Sequence, residues 1–137
     1  MGSMSAVSSI ALSGLNAATL RLRVSASDVA NALSDGPLPG AANAAGFASA
    51  YAPLRVDQVA AGDGGTRATV ATVSPSYVAT FSPGAPYADS NGMVASPNVD
   101  LTSEIVQQMV ARYSFAANAQ VLRTDMRTTA TLFNIKA

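Results

Sequence analysis

Leu12, Leu15, Thr19, Leu22, Ala26, Val29 and Leu33 follow one another at intervals of 3, 4, 3, 4, 3 and 4 residues. This is the period of an α-helix with one seam turned toward a partner helix, as in a coiled coil. A softer stripe of Val7, Ile10, Gly14, Ala17 and Val24 runs beside it, so the helix is apolar on more than one side. Helical from Ser5 to Leu33, the segment reaches ~44 Å at about 1.5 Å per residue. That is long for a chain of 137 residues. Ser34-Asp35-Gly36-Pro37-Leu38-Pro39-Gly40 ends it, because Gly36 suits a left-handed cap and neither proline can continue a helix.

The other end of the chain repeats the pattern. Leu101, Ile105, Phe115, Ala119, Leu122, Met126 and Phe133 fall on spacings of 4 and 3, with Gln108, Arg112 and Thr129 at intervening seam positions. Asp100 or Thr102 is placed to cap this helix, and Glu104 lies near its positive end. From Leu101 to Lys136 it extends ~54 Å at about 1.5 Å per residue.

Between the helices, Ala41 to Ala50 is a low-complexity run of small residues with little side chain to bury, and no regular structure is expected there. The stretches 51–59 and 66–73 are β-branched and partly alternating, with Gly62-Asp63-Gly64-Gly65 between them, which predicts a hairpin. Pro75, Pro83, Pro86 and Pro97, with Gly84 and Gly92, predict an extended segment lying over a surface from Ser74 to Pro97. The expected fold is mainly α: two long terminal helices in an antiparallel coiled coil, with a small β-hairpin and an extended loop inserted between them. The parts are 1–35, 36–97 and 98–137, forming one structural unit.

Composition narrows the function classes. There are no histidines and no cysteines, and only 12% of residues are charged. The commonest general base near neutral pH, thiol nucleophiles, disulfides and nitrogen- or sulfur-ligated metal sites are therefore missing. Asp89 and Asp100 have no partner base, so loop and capping roles suit them better than catalysis. Gly62 to Gly65 lacks the Lys and following helix of a phosphate cradle. No enzyme activity, cofactor or small-molecule substrate is expected. A net charge of +0 offers no field for nucleic acid or anionic lipid. The apolar-rich run Val7 to Leu22 has no basic residue before it and is broken by serines, Asn16 and Thr19, which fits neither a secretory signal nor a membrane span. Met1-Gly2-Ser3 is consistent with an expression scar ahead of a natural start at Met4.

Two helices facing one another, each apolar on several sides, leave outer Ala, Val and Met residues wet; apolar exposure on this scale marks an association site. A set of motifs agrees. Asn98-Val99-Asp100-Leu101, Glu104, Ala117-Asn118-Ala119, Val121-Leu122 and Thr124 resemble the C-terminal signature of bacterial flagellar rod and hook proteins. Pro83 to Val94, leading into Pro97-Asn98-Val99-Asp100, is similar to a segment of the proximal-rod, C-type branch of that family. Ser13-Gly14-Leu15-Asn16-Ala17 and Arg23 to Ala32 look like its first-helix motif, with Asp28 where the family usually has Asn. In the second helix the usual Arg-x-Tyr reads Tyr113-Ser114-Phe115, with Arg112 displaced by one position.

The resemblance implies a structural axial subunit of the flagellar basal body, in a rod spanning the periplasm and transmitting torque. It implies export through the flagellar type III apparatus without a cleaved signal peptide. Copies of itself, other rod proteins, and ring and export-gate components are the implied partners. The expected assembly residues are Leu12, Leu15, Leu22, Ala26, Val29, Asn31 and Leu33 in the first helix. In the second they are Leu101, Ile105, Phe115, Asn118, Ala119, Leu122 and Met126. Asn31 and Asn118 are either buried polar groups setting helix register or helix-end and solvent-facing residues. Other rod or hook-junction subunits, and a soluble helical binding module or export chaperone, are the alternatives.

Overall fold

The side chain of Asp100 starts the longest element of the fold. Its Oδ1 accepts from the backbone N–H of Thr102 (3.0 Å) and Ser103 (3.3 Å), satisfying donors that a helix N-terminus leaves unpaired. Asp100, not Thr102, is thus the cap, and Glu104 stands in the first turn. The computed structural model describes residues 6–136. In chain order it contains α1 (Ala6–Ala30), β1 (Leu54–Ala60), β2 (Thr66–Thr72), β3 (Tyr77–Phe81), β4 (Met93–Pro97) and α2 (Leu101–Lys136). The expectations about Met1–Ser3 and the Ser5 helix start lie outside the described residues.

α1 stops at Ala30, before the expected Leu33. The Asn31 side-chain amide donates to Ser27 O (2.9 Å), Ser34 N–H donates to Asn31 O (3.0 Å), and the chain turns away toward β4. Leu33 is left 91% exposed. Gly36 does not have a positive φ, so it is no left-handed cap. It exchanges two backbone hydrogen bonds with Ala95, both 2.9 Å, in an isolated antiparallel bridge. A Cβ on Gly36 would lie 2.3 Å from Ala50 N and 2.7 Å from Ala48 O. The glycine is required by close approach of backbone to backbone.

The two helices lie against each other in opposite chain directions: Ser8 bonds Asp125, Gly14 abuts Asn118, and Ser25 Oγ donates to Glu104 O (3.0 Å). Ala11, Ala18 and Ser25 recur every seven residues on α1 and are buried. Glu104, Ala111, Asn118 and Asp125 recur every seven on α2 and are half-buried or buried, as are Gln108, Ser114, Ala119 and Leu122 between them. The contact stripe is therefore small and polar. The seam expected from the large apolar residues is corrected: Leu12, Leu22, Ala26, Val29, Leu33, Leu101, Ile105, Phe115 and Met126 are all exposed. Side chains the size of Ala and Ser let the helix backbones approach, whereas a Leu or Phe in the same stripe would hold them apart. At Gly14 the Asn118 side chain fills the space beside the helix, since an added Cβ would meet its Oδ1 at 2.5 Å.

β1 and β2 form the expected antiparallel hairpin, with Leu54 opposite Thr72 and Ala60 opposite Thr66. The segment from Ser74 to Pro97 was expected to be merely extended, but it holds a second antiparallel sheet, with Tyr77 opposite Pro97 and Phe81 opposite Met93. Its prolines do not oppose pairing. Pro83 and Pro86 lie in the connecting loop, Pro75 precedes β3, and Pro97 ends β4 at a position whose missing N–H points away from β3. Val94 and Ala95 are buried to 0% and 2% exposure, which anchors this sheet. The run 41–50 has turns but no helix or strand. Besides the close approach to Gly36, it is joined to the rest by a bond from the Asn43 amide to Ala88 O and by the Phe47–Tyr87 ring pair, with centroids 5.4 Å apart.

Gly36→Ala presses a new methyl into backbone atoms and is expected to destabilise the fold by about 1–3 kcal/mol. At Gly84 an added Cβ meets nothing within 4 Å, so Gly84→Ala is expected to stay within about 1 kcal/mol of the parent. Urea unfolding of the two variants checks the difference.

Candidate assembly surface

Because the contact stripe consumes the small residues, the large ones are displaced outward. On α2, Ile105, Val106, Met109, Val110, Tyr113, Phe115, Val121, Met126, Leu132, Phe133 and Ile135 are exposed, Phe133 to 71% and Ile135 to 78%. On α1, Val7, Ile10, Leu12, Leu22 and Val29 are exposed too. Leu15, Ala119 and Leu122 are half-buried. Together with Met126 they line an open groove whose rim carries Arg123 and Arg127. Leu15 and Leu122 thus meet across the helix pair, while most other expected assembly residues point outward.

The two asparagines separate in role. Asn118 sits in the contact stripe against Gly14 and donates from Nδ2 to Ser114 O (2.8 Å). Asn31 bonds its own preceding turn and belongs to the helix end. Arg112 and Tyr113, at the shifted motif, are exposed.

Asp28 is the polar residue that reading the pattern undervalued. It is 1% exposed, and its Oδ1 accepts from Tyr51 Oη (2.8 Å) and from Leu54 N–H (3.1 Å) at the first residue of β1. Ser27 Oγ lies 3.1 Å from the same Tyr51 hydroxyl. Asp28 Oδ2 is buried without a hydrogen-bond partner among the described residues. One carboxylate oxygen thus ties the hairpin to α1, and the other is left unsatisfied. Farther along α1, Arg21 bonds Gln58, and Thr66 N–H donates to Ser13 Oγ (3.1 Å). Burial raises the Tyr51 pKa above 10.0; the Ser27 bond opposes this, and the bond to Asp28 and its charge add to it. The only sequence hint of this clasp was an acid at the Asn position of the helix motif.

Asp89 and Asp100 have the loop and capping roles expected of them. Asp89 Oδ1 accepts from Asn91 N–H (2.9 Å) and Met93 N–H (2.8 Å), shaping the turn into β4, and Asp100 caps α2. Among the described residues no cluster of three or more His, Cys, Asp or Glu could hold a metal ion, and no helix is long and apolar enough to cross a membrane.

Residues 90–135, covering β4 and nearly all of α2, match the family described as flagellar basal body rod FlgEFG protein C-terminal. The chain is 36% identical over 132 residues to the flagellar basal-body rod protein FlgC of Agrobacterium fabrum, covering 90% of this chain and 88% of that protein. It is 40% and 39% identical over 119 residues to the proteins of the same name from Yersinia enterocolitica and Salmonella typhimurium, at 84% coverage of each chain.

Asp28→Ala removes the acceptor from the Tyr51 hydroxyl and the half-buried Leu54 N–H, an expected loss of about 1–3 kcal/mol. Asp28→Asn keeps the Oδ1 acceptor and removes a buried charge, so its stability is expected to equal or exceed the parent's in urea unfolding. With the folded pKa of Tyr51 raised, the unfolded chain ionises first. The stability linked to Tyr51 is therefore complete below pH 10 and declines as pH rises through the folded pKa. Unfolding midpoints against pH for the parent and Tyr51→Phe check this, the variant losing that part of the alkaline decline.

Proposed function

The chain belongs to the flagellar basal-body rod protein family and is a structural subunit of the rod; from that premise we propose that it occupies the proximal rod and joins its neighbours through the outward faces of α1 and α2. The observation that carries this reading is the inversion of the helix pair. Small residues close the contact inside the subunit, and large apolar residues face out along both helices. Each such side chain gains about 1.5–3 kcal/mol on full burial, so packing against neighbouring subunits is the favourable way to cover them.

The two stripes with a seven-residue recurrence support an antiparallel coiled coil of the close-packed kind, with Gly14 packed against Asn118. Neighbouring subunits then meet a surface of Leu12, Leu22, Val29, Leu101, Ile105, Phe115 and Met126, while Leu15, Ala119 and Leu122 form a groove for an incoming helix. Copies of the chain, other rod proteins, and ring and export-gate components are the partners of this reading. Passage through the flagellar type III apparatus without a cleaved signal peptide belongs to it as well. The work of the protein is mechanical: torque crosses the contacts between subunits, and no reacting group is needed.

Exposed positions separate assembly from folding. Phe133→Asp and Ile105→Asp change side chains that are 71% and 57% exposed, so helix content and unfolding midpoint are expected to hold while incorporation into rods, and with it motility, is lost. Leu15→Asp and Leu122→Asp are expected to block incorporation too, with some loss of stability because both are half-buried. Isolation of basal bodies and swimming assays in a strain carrying each variant provide the check; normal rods from Phe133→Asp and Ile105→Asp would overturn the outward-face reading.

A further inference from the structure

The β3–β4 sheet has one closed edge and one open edge. Register and flanking bonds fix which groups point where. Ser82 N–H donates to Gly92 O (2.8 Å) and Asn98 N–H to Ser76 O (3.0 Å), so the hydrogen-bonded pairs fall at the even positions of both strands. On β4 the odd positions point away from β3, and all are engaged. Met93 exchanges bonds with Asp89, Ala95 exchanges two with Gly36, and Pro97, which has no N–H, accepts from Val99 N–H. On β3 the odd positions are Tyr77, Ala79 and Phe81. Among the described residues, their backbone N–H and C=O groups have no hydrogen-bond partner.

All five residues of β3 are exposed, Val78 to 50% and Phe81 to 68%. The strand carries no charge and no internal proline, which are the usual guards of a sheet edge against pairing with another chain. A two-stranded sheet is also marginal alone and gains from further strands.

We infer that the open edge of β3 pairs with β3 of a second copy of this chain, antiparallel and centred on Ala79, to make one four-stranded sheet across a two-fold axis. The register follows from the parity. Centred on Ala79, the three outward positions of one copy meet those of the other in three hydrogen-bonded pairs, about six bonds in all. A shift by one residue mismatches every donor and acceptor, and a shift by two loses a pair.

The side chains also suit themselves. Tyr77 of each copy stands opposite Phe81 of the other, giving two aromatic cross-strand pairs, and the small Ala79 pair lies between them. No like charges meet. Paired five-residue strands bury less than the roughly 1,200 Å² of a stable interface, so the dimer is weak and concentration-dependent. Being two-fold, it is closed, unlike the open-ended packing of a rod. It is a form of the subunit outside the rod, in which the unguarded edge is covered.

Sedimentation equilibrium on the full chain from micromolar to millimolar concentration tests this. The expected result is a monomer–dimer equilibrium that Ala79→Pro weakens about tenfold or more. That substitution removes an N–H directed away from β4, so the β3–β4 ladder keeps all its bonds. Ala79→Lys brings like charges together at the two-fold axis and is expected to do the same, giving a second route should the proline variant fold poorly by circular dichroism. A chain that stays monomeric over the whole range, or a dimer that both folded variants leave unchanged, would overturn the pairing. So would loss of rod assembly in these variants with a monomeric parent, because the edge would then serve a different partner.

Discussion

Close approach of α1 to α2 is the constraint on which the rest of this structure depends. Ala11, Ala18 and Ser25 face a stripe containing Ala111 and Asn118, and Gly14 leaves just the space that Asn118 fills. None of these residues brings much apolar area, so the pair is held by contact density and a few hydrogen bonds more than by burial of large side chains. Two consequences follow from the same geometry. The insert between the helices must fold back along α1 to add contacts that the helix pair lacks, and the bulky residues of both helices must lie outside.

The fold-back depends on Asp28. Its Oδ1 joins the start of β1 and the Tyr51 hydroxyl to α1, whose further bonds to the hairpin come from Arg21 and Ser13. A buried carboxylate is a costly way to make such a joint, and the unpartnered Oδ2 adds to the cost. What it secures is position, since a hairpin of two strands has little stability of its own. Gly36 does the corresponding job for the second sheet by closing the outer edge of β4 at Ala95. The hairpin is thus fixed to α1, the outer edge of β4 is closed by the chain that leaves α1, and the outer edge of β3 stays open.

Much of the fold was legible because local signals agreed with one another. The Gly-rich turn between two β-branched runs specified the hairpin, and Asp100 ahead of Leu101 marked where α2 begins. The second sheet is hidden in the sequence because prolines read locally as breaks, although each one sits where a strand tolerates it. The end of α1 was misplaced by the same kind of local logic. Gly36 next to Pro37 looks like a cap, yet its role is set by Ala50 and Ala95, distant in the chain. Of the candidate surface, the apolar character of both helices was visible in advance, but not the direction in which each side faces.

That last distinction separates what the chain's order of residues determined from what tertiary packing decided. Spacing, composition and turn residues determined two long helices with excess apolar surface and a hairpin between them, and the resemblance to the rod family added the structural role in a larger assembly. Two overlapping seven-residue patterns run along each helix, one of large residues and one of small, and periodicity is blind to which of them turns inward. Only the packed structure chose the small one, because two helix backbones joined at Ser8–Asp125 and Ser25–Glu104 come too close to admit Leu or Phe between them.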